Sequence, residues 1–125
     1  MFTFMNSSTQ LFSQINDLLE RNLDLNELVT QNPEATFFVR IQGDSMSNIG
    51  IFSGDIAIVD RSISSSIGNV IVVGLDGEFA LKRLIKKEEH FWLQSENPQY
   101  PSIQVKNPEE LDIWGVVTYV LHKVH

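Results

Sequence analysis

The dipeptide Asp76-Gly77 restricts this chain more than any other feature. It separates the apolar run 69–75 from Glu78-Phe79-Ala80-Leu81-Lys82-Arg83-Leu84. A two-residue connection of this kind makes a type I′ hairpin, because both central residues must tolerate positive φ. So short a turn fixes the register, and period-two alternation then puts Ala80, Lys82 and Leu84 on one face and Arg83 on the other. The fold therefore has to place one lysine between two apolar side chains.

The rest of the chain after Thr36 also reads as short strands divided by turn residues. Strands are expected near residues 36–42, 56–60, 69–75, 78–85, 90–95 and 112–122. Gly54-Asp55 and Ser66-Ile67-Gly68-Asn69 mark turns, Lys86-Lys87-Glu88-Glu89 is a polar turn, and Asn97-Pro98-Gln99-Tyr100-Pro101 is a rigid loop. Before Thr36 the period is helical. Leu11, Ile15, Leu18 and Leu19 form a stripe over residues 9–22, with Ser7 and Ser8 as caps, and a short helix is expected over 24–31, closed by Asn32-Pro33. The organisation expected is an N-terminal arm with short helices, residues 1–33, followed by a mainly β domain, residues 34–125.

The run 37–42 ends in Gly43-Asp44-Ser45-Met46, which sets a hydroxyl at a strand end. Serine is a weak nucleophile and needs a base. Lys82 is the candidate, since apolar burial disfavours the ammonium, and a lysine at its ordinary pKa of about 10.4 accepts no proton at neutral pH. Ser/Lys dyads are a known variant of the serine triad. Asp44 reads as holding the turn, and Met46 as packing or as a wall of the site. A Ser/His/Asp arrangement would have to recruit His90, which follows the polar turn at Lys86-Lys87-Glu88-Glu89.

Gly43-Asp44-Ser45-Met46, Gly50-Ile51, Gly54-Asp55-Ile56-Ala57-Ile58-Val59-Asp60, Leu75-Asp76-Gly77-Glu78-Phe79 and Lys82-Arg83-Leu84 together resemble the self-cleaving LexA/UmuD family of S24 peptidases. The likeness extends from about Asp24 to Val117 and is greatest to the UmuD branch. It implies a LexA-like C-terminal catalytic domain of twisted, partly barrel-like β-sheets, with Ser45 as nucleophile and Lys82 as general base. Gly43, Asp44, Met46, Ala80 and Leu84 would shape the site. It further implies an SOS mutagenesis role in the manner of processed UmuD (UmuD′), as a homodimeric accessory subunit of a UmuC-like Y-family translesion polymerase, with the RecA filament as a further partner. The family cuts itself at Cys-Gly or Ala-Gly, and neither dipeptide occurs here; the only glycine before Ser45 is Gly43. The chain thus looks like the processed form. The alternatives are a trans-acting S24 protease and the C-terminal dimerisation and autocleavage domain of a LexA-type or phage-type repressor.

A length of 125 residues suits one hydrophobic core. The net charge of -7 opposes a duplex phosphate surface, so direct DNA binding is not expected; the one basic cluster is Lys82-Arg83 with Lys86-Lys87. There is no cysteine, and His90, His122 and His125 lack metal-ligand spacing, so neither metal nor cofactor is expected. With no secretory signal and no long apolar run, the expected location is the cytoplasm, away from membranes. The run 113–121 is apolar on both faces, which suggests a homodimer contact through Trp114 and Val116.

Overall fold

The computed structural model describes residues 25–30 and 32–124. The amphipathic stripe over residues 9–22 and the capping position Asp24 lie outside them. A helix, α1, covers Leu25–Val29. Seven strands follow: β1 (Thr36–Arg40), β2 (Ile56–Asp60), β3 (Val70–Leu75), β4 (Glu78–Lys87), β5 (His90–Gln94), β6 (Ile103–Val105) and β7 (Asp112–Leu121). They form one sheet in the order β1-β2-β7-β3-β4-β5-β6, and every neighbouring pair is antiparallel. The mainly β expectation holds. No helix among the described residues is long and apolar enough to cross a membrane.

The β3–β4 hairpin has the expected form. Leu75 pairs with Glu78, and the central residues take φ of 49° at Asp76 and 81° at Gly77. Ile71 then falls opposite Lys82. The β4–β5 hairpin has the same two-residue geometry, but its central residues are Glu88 and Glu89, at φ of 53° and 67°. Left-handed backbone at a non-glycine residue costs about 1–2 kcal/mol, so this turn is held by the ladders on either side rather than by its own chemistry. Strand β6 was not foreseen, since three residues after Pro101 are too few to display a period.

Side-chain alternation divides the core into two clusters on opposite faces. Val72 and Leu81 join Ile41, Met46, Ile51, Ala57 and Val59 in the first, while Ile71, Val73, Leu84, Leu93, Val105 and Val116 make the second. Each large side chain buried here contributes about 1.5–3 kcal/mol. Strand β7 lies between β2 and β3 and serves both clusters, with Trp114, Val117 and Val120 against the first and Ile113 and Val116 in the second. Val116 is 5% exposed within a single chain. Trp114 is half-buried, packed edge-on against Phe79 at 4.9 Å with Arg61 stacked 4.8 Å over its ring. With Tyr119 40% exposed, the two-sided pattern is packed within the chain only in part. That packing depends on Gly115, where a Cβ would lie 2.6 Å from Val59 Cγ1 and 2.9 Å from the Asp60 carbonyl oxygen.

Candidate active site

After β1 the chain leaves the sheet in a loop whose apolar residues Ile41, Met46 and Ile51 turn back into the first cluster. The ends of this loop are tied together. The Ile41 amide donates to the Asp55 carbonyl at 2.8 Å, and the Gly54 amide donates to the Ile41 carbonyl at 2.9 Å. Gly43 takes φ of 87°, a left-handed conformation that glycine adopts without steric cost. The half-buried Ser45 follows two residues later, next to Met46, which is 2% exposed.

The turn that carries Ser45 is clamped by the segment after β5. Asn97 Nδ2 donates to the Asp44 carbonyl at 2.9 Å, and Tyr100 Oη donates to Asp44 Oδ1 at 2.6 Å. The Asn48 amide donates to the Glu96 carbonyl at 2.9 Å, and the Glu96 amide donates to Met46 Sδ at 3.4 Å. Asp44 thus holds the turn as expected, through both its backbone and its carboxylate. Hydrogen bonding to that carboxylate raises the Tyr100 phenol above its ordinary range. From sequence Asn97 and Tyr100 read only as parts of a rigid loop, since nothing in their spacing announces a partner more than fifty residues away.

Lys82 rises from β4 on the face of the second cluster. It is 8% exposed, and burial pushes its amine below the ordinary lysine range. Leu84 is buried in the cluster on one side and Ala80 is half-buried on the other. Arg83, turned to the opposite face, binds Glu96 Oε1 at 2.6 Å and the Gly68 carbonyl. The hydrogen-bond partner of the Lys82 amine is Ser95, with Nζ donating to Oγ at 2.6 Å. Among the described residues, no hydrogen bond joins Lys82 to Ser45. The two are related through one segment instead: Ser95 holds the amine, Tyr100 places its ring 5.8 Å from Nζ, and the stretch from Glu96 to Tyr100 holds Asp44 and Met46, the residues on either side of Ser45.

Two further features are separate from this constellation. His122 Nδ1 lies 2.6 Å from Oδ1 of the buried Asp55, tying the chain after β7 to the end of the serine loop. An apolar groove of about 330 Å³, bordered by Phe37, Val39, Val72, Phe79, Arg61 and Trp114, lies on the first-cluster face, and neither Ser45 nor Lys82 lines it.

A buried amine held below its ordinary range, joined through one segment to a clamped hydroxyl turn, has the groups that general-base activation of a serine requires. The family described as Peptidase S24-like matches residues 8–118. Protein SamA of Salmonella typhimurium is 45% identical over 107 residues, covering 86% of this chain and 74% of SamA. Protein MucA of Escherichia coli is 36% identical over 103 residues, covering 82% of this chain and 70% of MucA. The LexA repressor of Ectopseudomonas mendocina is 33% identical over 93 residues, covering 74% of this chain and 46% of the repressor.

Proposed function

This chain belongs to the Peptidase S24-like family, and from that premise we propose that it is a UmuD′-like SOS mutagenesis protein, an accessory subunit of an error-prone translesion DNA polymerase, that retains a Ser45/Lys82 peptidase site. Ser45 Oγ attacks a peptide carbonyl while its proton passes to the neutral Lys82 amine. The Oγ–C bond forms, the C–N bond breaks, and Lys82 returns the proton to the leaving amine; water then hydrolyses the acyl-enzyme. The observation that supports this most directly is a buried lysine on β4, its amine held below the ordinary range by desolvation, joined by one segment to the serine turn. The partners proposed are a second copy of the chain and a Y-family polymerase, with the RecA filament as a further contact.

The test mixes the chain with an uncleaved, serine-inactivated UmuD-like protein and follows fragments from pH 6 to 10. Cutting should rise with pH as Lys82 loses its proton, and Ser45→Ala and Lys82→Ala should each abolish it without unfolding the chain. Cutting that survives Lys82→Ala removes lysine as the base. No cutting at any pH leaves a binding module with an inactive dyad, and co-purification with a Y-family polymerase from DNA-damaged cells tests that part separately.

A further inference from the structure

We propose that Ser95 is the positioning residue of this peptidase site, holding the Lys82 amine so that its lone pair is left for Ser45. The inference rests on the Ser45/Lys82 reaction proposed above, and three observations carry it. The first is register. Arg83 pairs with Gln94 across β4 and β5, so one further step along the antiparallel ladder puts Ser95 opposite Lys82, and the 2.6 Å bond between them is a cross-strand contact set by the fold. The second is burial, for Ser95 is 4% exposed; a peptide carbonyl cannot reach it, whereas Ser45 is half-buried in its loop.

The third is the poverty of the surroundings. On its own strand Lys82 is flanked by Ala80 and Leu84, and Ile71 faces it from β3. Tyr100 presents its ring at 5.8 Å, but its hydroxyl is given to Asp44. Arg83 and Glu96 pair with each other, Arg83 on the opposite face. Ser95 therefore supplies the oxygen that the amine needs. As an ammonium, Lys82 donates to Ser95 in a charge-assisted bond. As a neutral amine it keeps one N–H on Ser95, which fixes the rotation about Cε–Nζ and aims the lone pair away from Ser95, where it can accept the Ser45 proton as the Oγ–C bond forms.

The experiment titrates the Lys82 side-chain ¹⁵Nζ and ¹³Cε resonances, assigned by their loss in Lys82→Ala, in the full chain and in Ser95→Ala, Ser95→Thr and Ser45→Ala. Cleavage in trans is measured alongside. Ser95→Ala should move the Lys82 titration down by about one pH unit, since the ammonium loses a charge-assisted acceptor. The acidic limb of the kcat profile should move with it, and kcat should fall about tenfold with KM unchanged, as the base loses its aim. Ser95→Thr should restore both, and Ser45→Ala should leave the titration in place. A Lys82 titration that ignores Ser95→Ala, or that moves in Ser45→Ala instead, overturns the proposal. So does a fluorophosphonate label that is lost in Ser95→Ala and kept in Ser45→Ala, which would make Ser95 the nucleophile. The titration reads the Ser95 bond without turnover, so absence of cleavage in the unsubstituted chain overturns the peptidase proposal while the resonances still decide the role of Ser95.

Discussion

Replacing Lys82 by Met keeps an unbranched stem in the same place and removes the amine, so it isolates the cost of holding a titratable group at a site that is 8% exposed. Burial keeps the Lys82 amine below the ordinary lysine range, so the folded chain binds this proton less readily than the unfolded chain, whose lysines titrate near about 10.4. The sign follows from linkage. Between the folded and unfolded pKa values the unfolded state holds the extra proton, and stability rises with pH by up to about 1.4 kcal/mol per pH unit. Below the folded value the whole penalty is present, and above about pH 10.4 none of it remains. Lys82→Met escapes that penalty at every pH, but it leaves the Ser95 hydroxyl without its 2.6 Å partner, and a buried polar group left unpaired costs about 1–3 kcal/mol. The methionine variant should therefore compare best with the parent at low pH and lose ground as pH rises, becoming the less stable of the two in alkali. Urea unfolding followed by the fluorescence of Trp92 and Trp114, run on both proteins from pH 6 to 10, measures this directly. The difference between the two curves cancels the other titrating groups, Tyr100 among them. A stability difference independent of pH over that range would refute the reasoning, because it would mean that Lys82 titrates alike in the folded and unfolded chain.

Gly115→Ala should destabilise the chain by about 1–3 kcal/mol in urea unfolding, as an added methyl collides with Val59 and the Asp60 backbone at the centre of the sheet. Glu89→Gly should act in the other direction, by about 1 kcal/mol, because φ of 67° costs a glutamate what it does not cost a glycine; a lowered urea midpoint would count against it. For Asp55, burial opposes the charge, but the Phe52 amide at 2.9 Å and the His122 ring at 2.6 Å outweigh it, and the carboxyl is held below its ordinary range. That stability is present above about pH 3.9, the unfolded value, and is lost as pH falls through the folded one. Asp55→Asn should thus cost about 1–3 kcal/mol at neutral pH, with the deficit closing in acid, as paired urea titrations near pH 7 and pH 2.5 would show.

Local chemistry made the framework legible in the sequence. Asp76-Gly77 dictated a hairpin, the hairpin dictated a register, and the register put Lys82 on the apolar face where it is found. Gly43-Asp44-Ser45-Met46 was legible for the same reason, since a tight turn and a buried methionine are short-range requirements. Long-range pairing was not. That β7 packs into both clusters depends on its lying between β2 and β3, and no periodicity in residues 113–121 announces that position. Ser95 was missed because its role appears only once β4 and β5 are in register. His122 was missed because its partner Asp55 lies at the far end of the domain sequence.

The two halves of the candidate dyad depend on different parts of the molecule. Met46, beside the nucleophile, packs in the first cluster with Leu81, whereas Lys82, the residue after Leu81, points to the face of the second. A strand ladder can fix either orientation but cannot bring groups on opposite faces together. The connection after β5 makes contacts in both directions. Ser95 extends the β4–β5 register to hold the base, and Glu96, Asn97 and Tyr100 reach across to the serine turn. Pro98 stiffens this connection by fixing φ, so a segment of six residues adds to the sheet in holding the base and the serine turn. Substitutions in that segment can therefore change the reactivity of the site while the core stays intact. Substitutions at the apolar core positions around Lys82, such as Val72 or Leu81, act on the fold first.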